Sequence, residues 1–236
     1  ITHVPTNGGL INPAAEIGKI SQRNGILYLL DACQSVGQMP LDVKEIGCDF
    51  LSGTSRKYLR GPRGIGFLYA CEKTTSFLEP VILDLHAANW TSPTSYEIRS
   101  DAKKYENWEN NLSSVVGFAA ALDYMLSIGT DKIWNRIQFL ASYLREQLQV
   151  IPGVKLHDLG KTKCGIVSFS TPTDSFELKS ELHENGFNVS VIHPSHTLID
   201  MSSRKLGHLI RASVHYYNTI EEIDAFTEYL KARPLE

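Results

Sequence analysis

Ile26-Leu27-Tyr28-Leu29-Leu30-Asp31 opens the stretch that decides the fold, and Asp49-Phe50-Leu51-Ser52-Gly53-Thr54-Ser55-Arg56-Lys57 closes it. A continuous apolar run ending in an acid predicts a strand buried on both faces, as in a parallel sheet. Upstream, Asn12 is placed to cap a helix with Pro13 at its first position; Ala14, Ile17 and Ile20 form one stripe and Gly25 stops it. Downstream, Asp42 with Glu45 makes a capping-box-like start to a short helix ending near Gly47, and Asp49 to Thr54 is the next strand. Gly61-Pro62-Arg63-Gly64 is turn chemistry, after which Ile65 to Ala70 is expected to return antiparallel. Helix and strand signals in alternation predict an α/β architecture.

Further along, residues 72 to 111 are polar with weak periodicity and read as loops and short pieces. From Ser113 the pattern turns helical, with Val116, Ala119, Ala120 and Tyr124 lining one face until Gly129. Residues 130 to 150 form a second amphipathic helix carrying Ile133, Ile137, Leu140, Leu144 and Leu148. A second domain follows: strands at 154–158, 165–170, 187–192 and 208–216 enclose a helix around 174–185, and Thr219 with Glu222 opens a last helix of Ile223, Phe226 and Leu230. The expected boundaries are 1–128 and 129–236. Because Ile1 to Val4 already reads as a strand end, the chain is expected to be a fragment.

Twenty-three basic against 26 acidic residues give a net charge of −3, with no long single-sign run. That balance argues against nucleic acid or an acidic membrane as the main partner, and favours a small molecule. No apolar run reaches the roughly 18 to 20 residues that cross a bilayer. Cys33, Cys48, Cys71 and Cys164 form no C-x-x-C pair and no zinc-like spacing, so a reducing, cytoplasmic setting is expected. His193-x-x-His196 lacks a third ligand, and no metal site is expected.

Ligands of open α/β sheets bind beyond the carboxyl ends of the strands, and two consecutive strands deliver Asp31 and Lys57 to that edge. Alone, each is an ordinary loop acid or surface lysine. Together they match the needs of pyridoxal phosphate, which takes a lysine amine for its internal aldimine, a carboxylate to keep its ring nitrogen protonated, and donors for its phosphate. The hydroxyls of Ser52, Thr54 and Ser55 are candidate donors, and Gln34 is placed to bond the ring hydroxyl oxygen. Cys33 and Gln38 have no evident part. On a strand at 208–216, Arg211 lies opposite Ile210, Ala212 and Val214, and its planar fork suits a substrate carboxylate.

Asp31-Ala32-Cys33-Gln34, Asp42-Val43, Gly47-Cys48-Asp49-Phe50, Arg56-Lys57 and Gly61-Pro62-Arg63-Gly64-Ile65-Gly66 resemble the class V aminotransferase signature, including the interval of 26 residues from Asp31 to Lys57. That family includes cysteine desulfurases, selenocysteine lyases and isopenicillin-N epimerase-like proteins. Thr2 to Gly9 resembles the family's strand and loop before the aspartate, with Thr6 where a cofactor-contacting asparagine usually stands. Ile210 to Thr219 resembles the strand whose arginine binds the substrate carboxylate. The resemblance implies a mixed, mainly parallel sheet from the later part of an aspartate-aminotransferase-like large domain, followed by a small α+β domain. It implies pyridoxal phosphate held by Asp31, Gln34, Thr54, Arg56, Lys57 and Thr6, with Lys57 catalytic and Arg211 binding an amino-acid substrate.

The resemblance also implies a homodimer, with the aromatic-rich stretch 86–112 as contact surface. Three departures accompany it. Arg56 replaces the usual histidine before the lysine. No cysteine stands between Asn188 and Leu209, where desulfurases carry the one that forms a persulfide. The family's upstream phosphate turn and ring-stacking residue have no counterpart. The expected activity is C–S lyase-like or aminotransferase; the alternatives are a truncated, non-catalytic member of the fold, or a racemase or epimerase.

Overall fold

Helix α1 (Ala14–Arg23) starts one residue later than expected, with Pro13 in its N-cap position, where proline has no side-chain oxygen to offer. Strand β1 (Leu29–Asp31) follows, then α2 (Val43–Ile46), whose cap is the one expected: the Asp42 carboxylate accepts from the N–H groups of Lys44 and Glu45, and Gly47 closes the helix in the left-handed region at φ 69°. The chain is described here from a computed structural model that covers residues 1–233 and divides into two compact units.

The first unit comprises Ile1–His3 and Pro13–Ile128. Its sheet is β1, β2 (Phe50–Thr54) and β3 (Gly66–Ala70), with β1 and β2 parallel and β3 antiparallel to β2. Leu30 and Leu51 point to one face and join Ala14, Tyr28, Ala32, Ile46 and Cys48 in a core under α1 and α2. Helix α1 lies so close that a Cβ on Gly18 would sit 1.8 Å from the Ile46 carbonyl oxygen, so only glycine fits there. Asp49 ties the layers together, accepting from Tyr28 N–H at 2.8 Å and Thr74 Oγ1 at 2.5 Å. Burial pushes its carboxyl up, but those donors outweigh burial and hold it below the ordinary range.

The expected strand buried on both faces is corrected. Leu30 is fully buried, but Leu29 is 48% exposed and Ile26 and Leu27 stand outside the strand, exposed. The stretch expected as loops and short pieces contains α3 (Glu72–Thr75) and a hairpin of β4 (Ala88–Ser92) and β5 (Ser95–Ile98). Helix α4 (Leu112–Ile128) also departs from expectation. Phe118 and Met125 are its buried residues, whereas Val116 and Tyr124, on the expected core stripe, are 69% and 52% exposed. The helix is apolar nearly all round, so periodicity does not select its inner face.

The second unit joins Val4–Asn12 to the chain from Gly129 onward. Helix α5 (Thr130–Gln149) buries all five residues of its expected stripe. Strands β6 (Lys155–Leu156), β7 (Ile166–Ser170), β8 (Ser190–Ile192) and β9 (Leu209–Ser213) form an antiparallel sheet in the order β6-β7-β9-β8. Helices α6 (Ser175–Glu184) and α8 (Ile220–Ala232) cover one face with α5, around Val167, Phe169, Ile210, Ala212 and Val214. Short helix α7 (Leu198–Ser203) packs Met201 against Ile192 and Leu209, which belong to the other face.

Helix α8 carries the expected capping box, Thr219 Oγ1 accepting from Glu222 N–H and the Glu222 carboxylate accepting from Thr219 N–H. Thr219→Ala removes one half of this reciprocal pair and is expected to lower stability by about 1 kcal/mol, read from the urea midpoint at unchanged slope.

Candidate functional site

Parallel pairing of β1 and β2 sets Asp31 directly opposite Ser52, and a parallel bridge sets Thr2 opposite Asp31 on the other side. Since Leu30 and Leu51 point into the core, strand alternation sends Asp31, Ser52 and Thr54 to the opposite face. Three polar residues, Thr2, Asp31 and Ser52, therefore form one row across the carboxyl end of the parallel strands, where α/β sheets bind ligands.

Asp31 is half-buried and firmly oriented. Its Oδ1 accepts from Cys33 N–H at 3.0 Å, and Thr2 Oγ1 approaches Oδ2 at a long 3.5 Å. The backbone on either side is fixed as well, with His3 N–H donating to the Asp31 carbonyl and Asp31 N–H to the Ile1 carbonyl, both at 2.9 Å. Cys33, two residues on, is half-buried. Burial first, then the Asp31 carboxylate, pushes the thiol up; Lys57 pulls the other way. Asp31 and the turn that carries Lys57 thus stand at the neighbouring carboxyl ends of one parallel strand pair.

Lys57 stands in the turn that follows β2. The turn is pinned at its base: Ser55 N–H donates to the Ile65 carbonyl at 3.1 Å and Gly61 N–H to the Ser55 carbonyl at 2.8 Å. Tyr58 and Leu59, the next two residues, are buried and anchor it. Gly37, at φ 79°, lets the 35–39 turn lie against Leu59, since a Cβ there would fall 2.8 Å from the Leu59 backbone nitrogen. The Arg60 guanidinium lies 5.6 Å from the Tyr124 ring centroid, so α4 braces the far side of the turn.

One expected phosphate donor is corrected. Ser55 is fully buried, and its hydroxyl serves the turn itself through the Pro62 and Ile65 carbonyls. Thr54 and Ser52 remain half-buried on the open face, and Arg56 is exposed beside Lys57. Gln34 is half-buried and its carbonyl accepts from Gln38 Nε2 at 2.8 Å. An acid, an amine and hydroxyl donors on one face fit a protonated pyridine ring with an aldehyde and a phosphate.

The second unit holds the other two candidates. Arg211, on β9, is opposite Ser168 of β7 and Ser190 of β8, so a row of two hydroxyls flanks it on the face away from the core. Its Nη1 donates to the Thr6 carbonyl at 3.2 Å. Thr6 belongs to a strap held by Gly8 N–H to Ser168 Oγ at 3.0 Å, Leu159 N–H to the Gly8 carbonyl at 2.7 Å and Cys164 N–H to the Gly9 carbonyl at 2.8 Å. Nearby in this unit, Asn7 Nδ2 donates to Thr197 Oγ1 at 3.3 Å. His193 and His196 have ring centroids 5.8 Å apart, and His193 Nδ1 is engaged by Ser195. Among the described residues no group of three or more histidine, cysteine, aspartate or glutamate side chains could hold a metal ion.

Residues 1–226 match the Aminotransferase class-V family. A probable cysteine desulfurase of Methanothermobacter thermautotrophicus is 32% identical over 98% of this chain and 59% of its own length. The apo structure of a cysteine desulfurase from Thermococcus onnurineus superposes with a TM-score of 0.91 at 27% identity, covering 98% of this chain and 58% of that one. The fold is shared with the cystine C-S lyase C-DES, at a TM-score of 0.84 and 24% identity, over 98% of this chain and 59% of that one. The chain therefore spans somewhat over half the length of the relatives it matches. With the family match running from residue 1, beside the Thr2–Asp31 bridge, into α8, the chain belongs to the class V aminotransferases.

Proposed function

We propose that this chain carries the lysine-, aspartate- and arginine-bearing part of a pyridoxal-phosphate-dependent enzyme that acts on an amino acid as a C–S lyase. The observation that carries the reading is that Asp31, which ends β1, and the turn that carries Lys57, which follows β2, stand at the carboxyl end of one parallel strand pair. When bound, the cofactor supplies an electron sink for the bonds at the substrate α-carbon. Asp31 holds the ring nitrogen's proton, Thr54 and Arg56 serve the phosphate, and Gln34 and Thr6 contact the cofactor's remaining polar atoms. Lys57 anchors the cofactor and then, as general base, takes the α-proton. Arg211 receives the substrate carboxylate on its planar fork.

The thiol inventory favours elimination over a persulfide relay. Cys164 is the only cysteine of the second unit; it is fully buried and burial pushes its thiol up to about 11, so it is not a nucleophile. With no cysteine between residues 188 and 209, the C–S bond breaks with its electron pair leaving on sulfur, and the products are sulfide, ammonia and a 2-oxo acid. Exposed Trp90, Tyr96 and Trp108 support the 86–112 stretch as a homodimer surface, and four free thiols support a reducing cytoplasmic setting.

The test is to load the protein with pyridoxal phosphate, reduce it with borohydride and map the adduct, then assay sulfide, pyruvate and alanine from a panel of amino acids. An adduct on Lys57 with pyruvate and sulfide formed together supports the reading; alanine as the product replaces the lyase by a desulfurase. No adduct at all favours a non-catalytic member of the fold.

Arg211→Gln is expected to leave cofactor loading unchanged and raise KM for the amino acid about 10- to 100-fold, the size of one lost charge-assisted pair. Steady-state kinetics beside the cofactor titration checks both halves.

A further inference from the structure

Strand β9 runs on past the end of its pairing with β8. The β8 ladder goes from Ser190 opposite Arg211 to Ile192 opposite Leu209, whereas the β7 ladder continues to Ser213. Val214 N–H donates to the Gly165 carbonyl on the β7 side at 2.7 Å, so alternation turns the Ser213 N–H and carbonyl to the side that β8 has left. The chain enters β8 through a tight turn, with Gly186 at φ 87° and Phe187 N–H donating to the Leu182 carbonyl at 2.8 Å. That turn sets Phe187 against Phe226 of α8. A cavity of about 480 Å³ opens between the turn, the end of β9 and the start of α8.

Its floor is the core itself. Leu144, Val214 and Ile223 are buried core residues that line it, and the Phe187 and Phe226 rings meet there edge to face, with centroids 5.5 Å apart. Among the described residues lining the cavity, Glu222 is the only charged one. Its Oε2 accepts from Asn218 Nδ2 and Thr219 N–H, both at 3.0 Å, which leaves Oε1 for an incoming donor. Those donors, Asn218 first, hold the carboxyl below the ordinary range, so it is ionised at neutral pH. Glu221 and Glu222 together exceed the roughly half-unit positive charge of the helix start. Arg136 uses its Nη2 on the Asn218 carbonyl, at 2.9 Å, and does not line the cavity.

We propose that this cavity is a binding site for an arylalkyl ammonium, its ring entering beside Phe187 and Phe226 and its N–H donating to Glu222 Oε1. A third ring extends the edge-to-face arrangement of the other two. A neutral apolar guest would strip water from the carboxylate without replacing it, and an anion would be repelled. Arg211 lies on the opposite face of β9 from Ala212 and Val214, so the site is independent of the function proposed above.

The probe is N,N-dimethylphenethylamine, a tertiary amine that forms no imine with pyridoxal phosphate, so the result is the same with or without cofactor. The nitrogen-labelled full chain is titrated and its amide resonances followed. Saturable shifts are expected at Val189, Ser213 and Ala225, which line the cavity. Phenethyl alcohol is expected to bind about tenfold more weakly, the worth of one charge-assisted hydrogen bond, and phenylacetate to cause no shift there. Glu222→Gln removes the charge and keeps the capping box, which glutamine also completes. It is expected to weaken the amine about tenfold and leave the alcohol unchanged. Ala225→Trp, at an exposed position of α8, fills the cavity and is expected to abolish the shifts from both compounds. Shifts that do not saturate, equal affinity for amine and alcohol, or amine binding that survives either variant unchanged overturns the proposal.

Discussion

Lys57→Ala protein loaded with pyridoxal phosphate is expected to lose the chromophore that borohydride fixes to the chain, and to lose at least about 10³-fold in kcat, because anchoring amine and proton carrier disappear together. The variant should fold. The turn is held by Ser55, Gly61, Tyr58 and Leu59, and none of those contacts uses the lysine amine. Lys57→Arg keeps the positive charge but offers a guanidinium that is never deprotonated, so it is expected to bind cofactor without the covalent link and to stay inactive. Absorbance before and after borohydride, with mass mapping of the reduced protein, reads the first loss; single-turnover kinetics reads the second. A Lys57→Ala protein that keeps the same chromophore and a comparable rate overturns the proposed function.

Much of this site could be read in the sequence because its parts are set by short-range rules. A strand that ends in Asp31 and a strand that leads into Lys57 put both residues at one edge as soon as the two strands are parallel neighbours, and β1 and β2 are. Arg211 could be assigned to the face away from Ile210, Ala212 and Val214 because period-two alternation holds along β9. What could not be read was decided by tertiary surroundings. Ser55 looked like a phosphate donor until the turn closed and took its hydroxyl. The α4 stripe was misplaced because apolar residues occupy nearly every side of that helix, so the inner face is chosen by Phe118 stacking on Phe67 and by Gly117 meeting Pro62. The β4–β5 hairpin went unseen because its side chains are mostly exposed, and an exposed strand leaves no alternation of polarity to detect.

Arg145→Met is expected to cost the second unit about 3 to 5 kcal/mol, because it leaves a buried carboxylate without its countercharge. From α5, Arg145 Nε donates to Asp158 Oδ2 at 2.7 Å, and Nη2 donates to the carbonyls of Cys164 at 2.8 Å and Ile166 at 2.9 Å. The side chains of Arg145 and Asp158 are 11% and 1% exposed, so water does not replace what the variant removes. Ser168 N–H also donates to Asp158, at 2.8 Å to Oδ1. Ser168 Oγ in turn accepts from Gly8, and a Cβ on Gly9 would lie 2.7 Å from Asp158 Cγ, so the ion pair also shapes the seat of the strap that carries Thr6 to Arg211. A typical domain has about 5 to 15 kcal/mol in hand, so urea unfolding followed by circular dichroism should show the midpoint fall steeply. The double variant Arg145→Met with Asp158→Leu removes both charges and is expected to recover a large part of the loss, because the penalty belongs to the unpaired carboxylate and not to the missing attraction. If the double variant is no more stable than Arg145→Met alone, the two carbonyls of Cys164 and Ile166 are what Arg145 chiefly holds, and the ion pair is secondary.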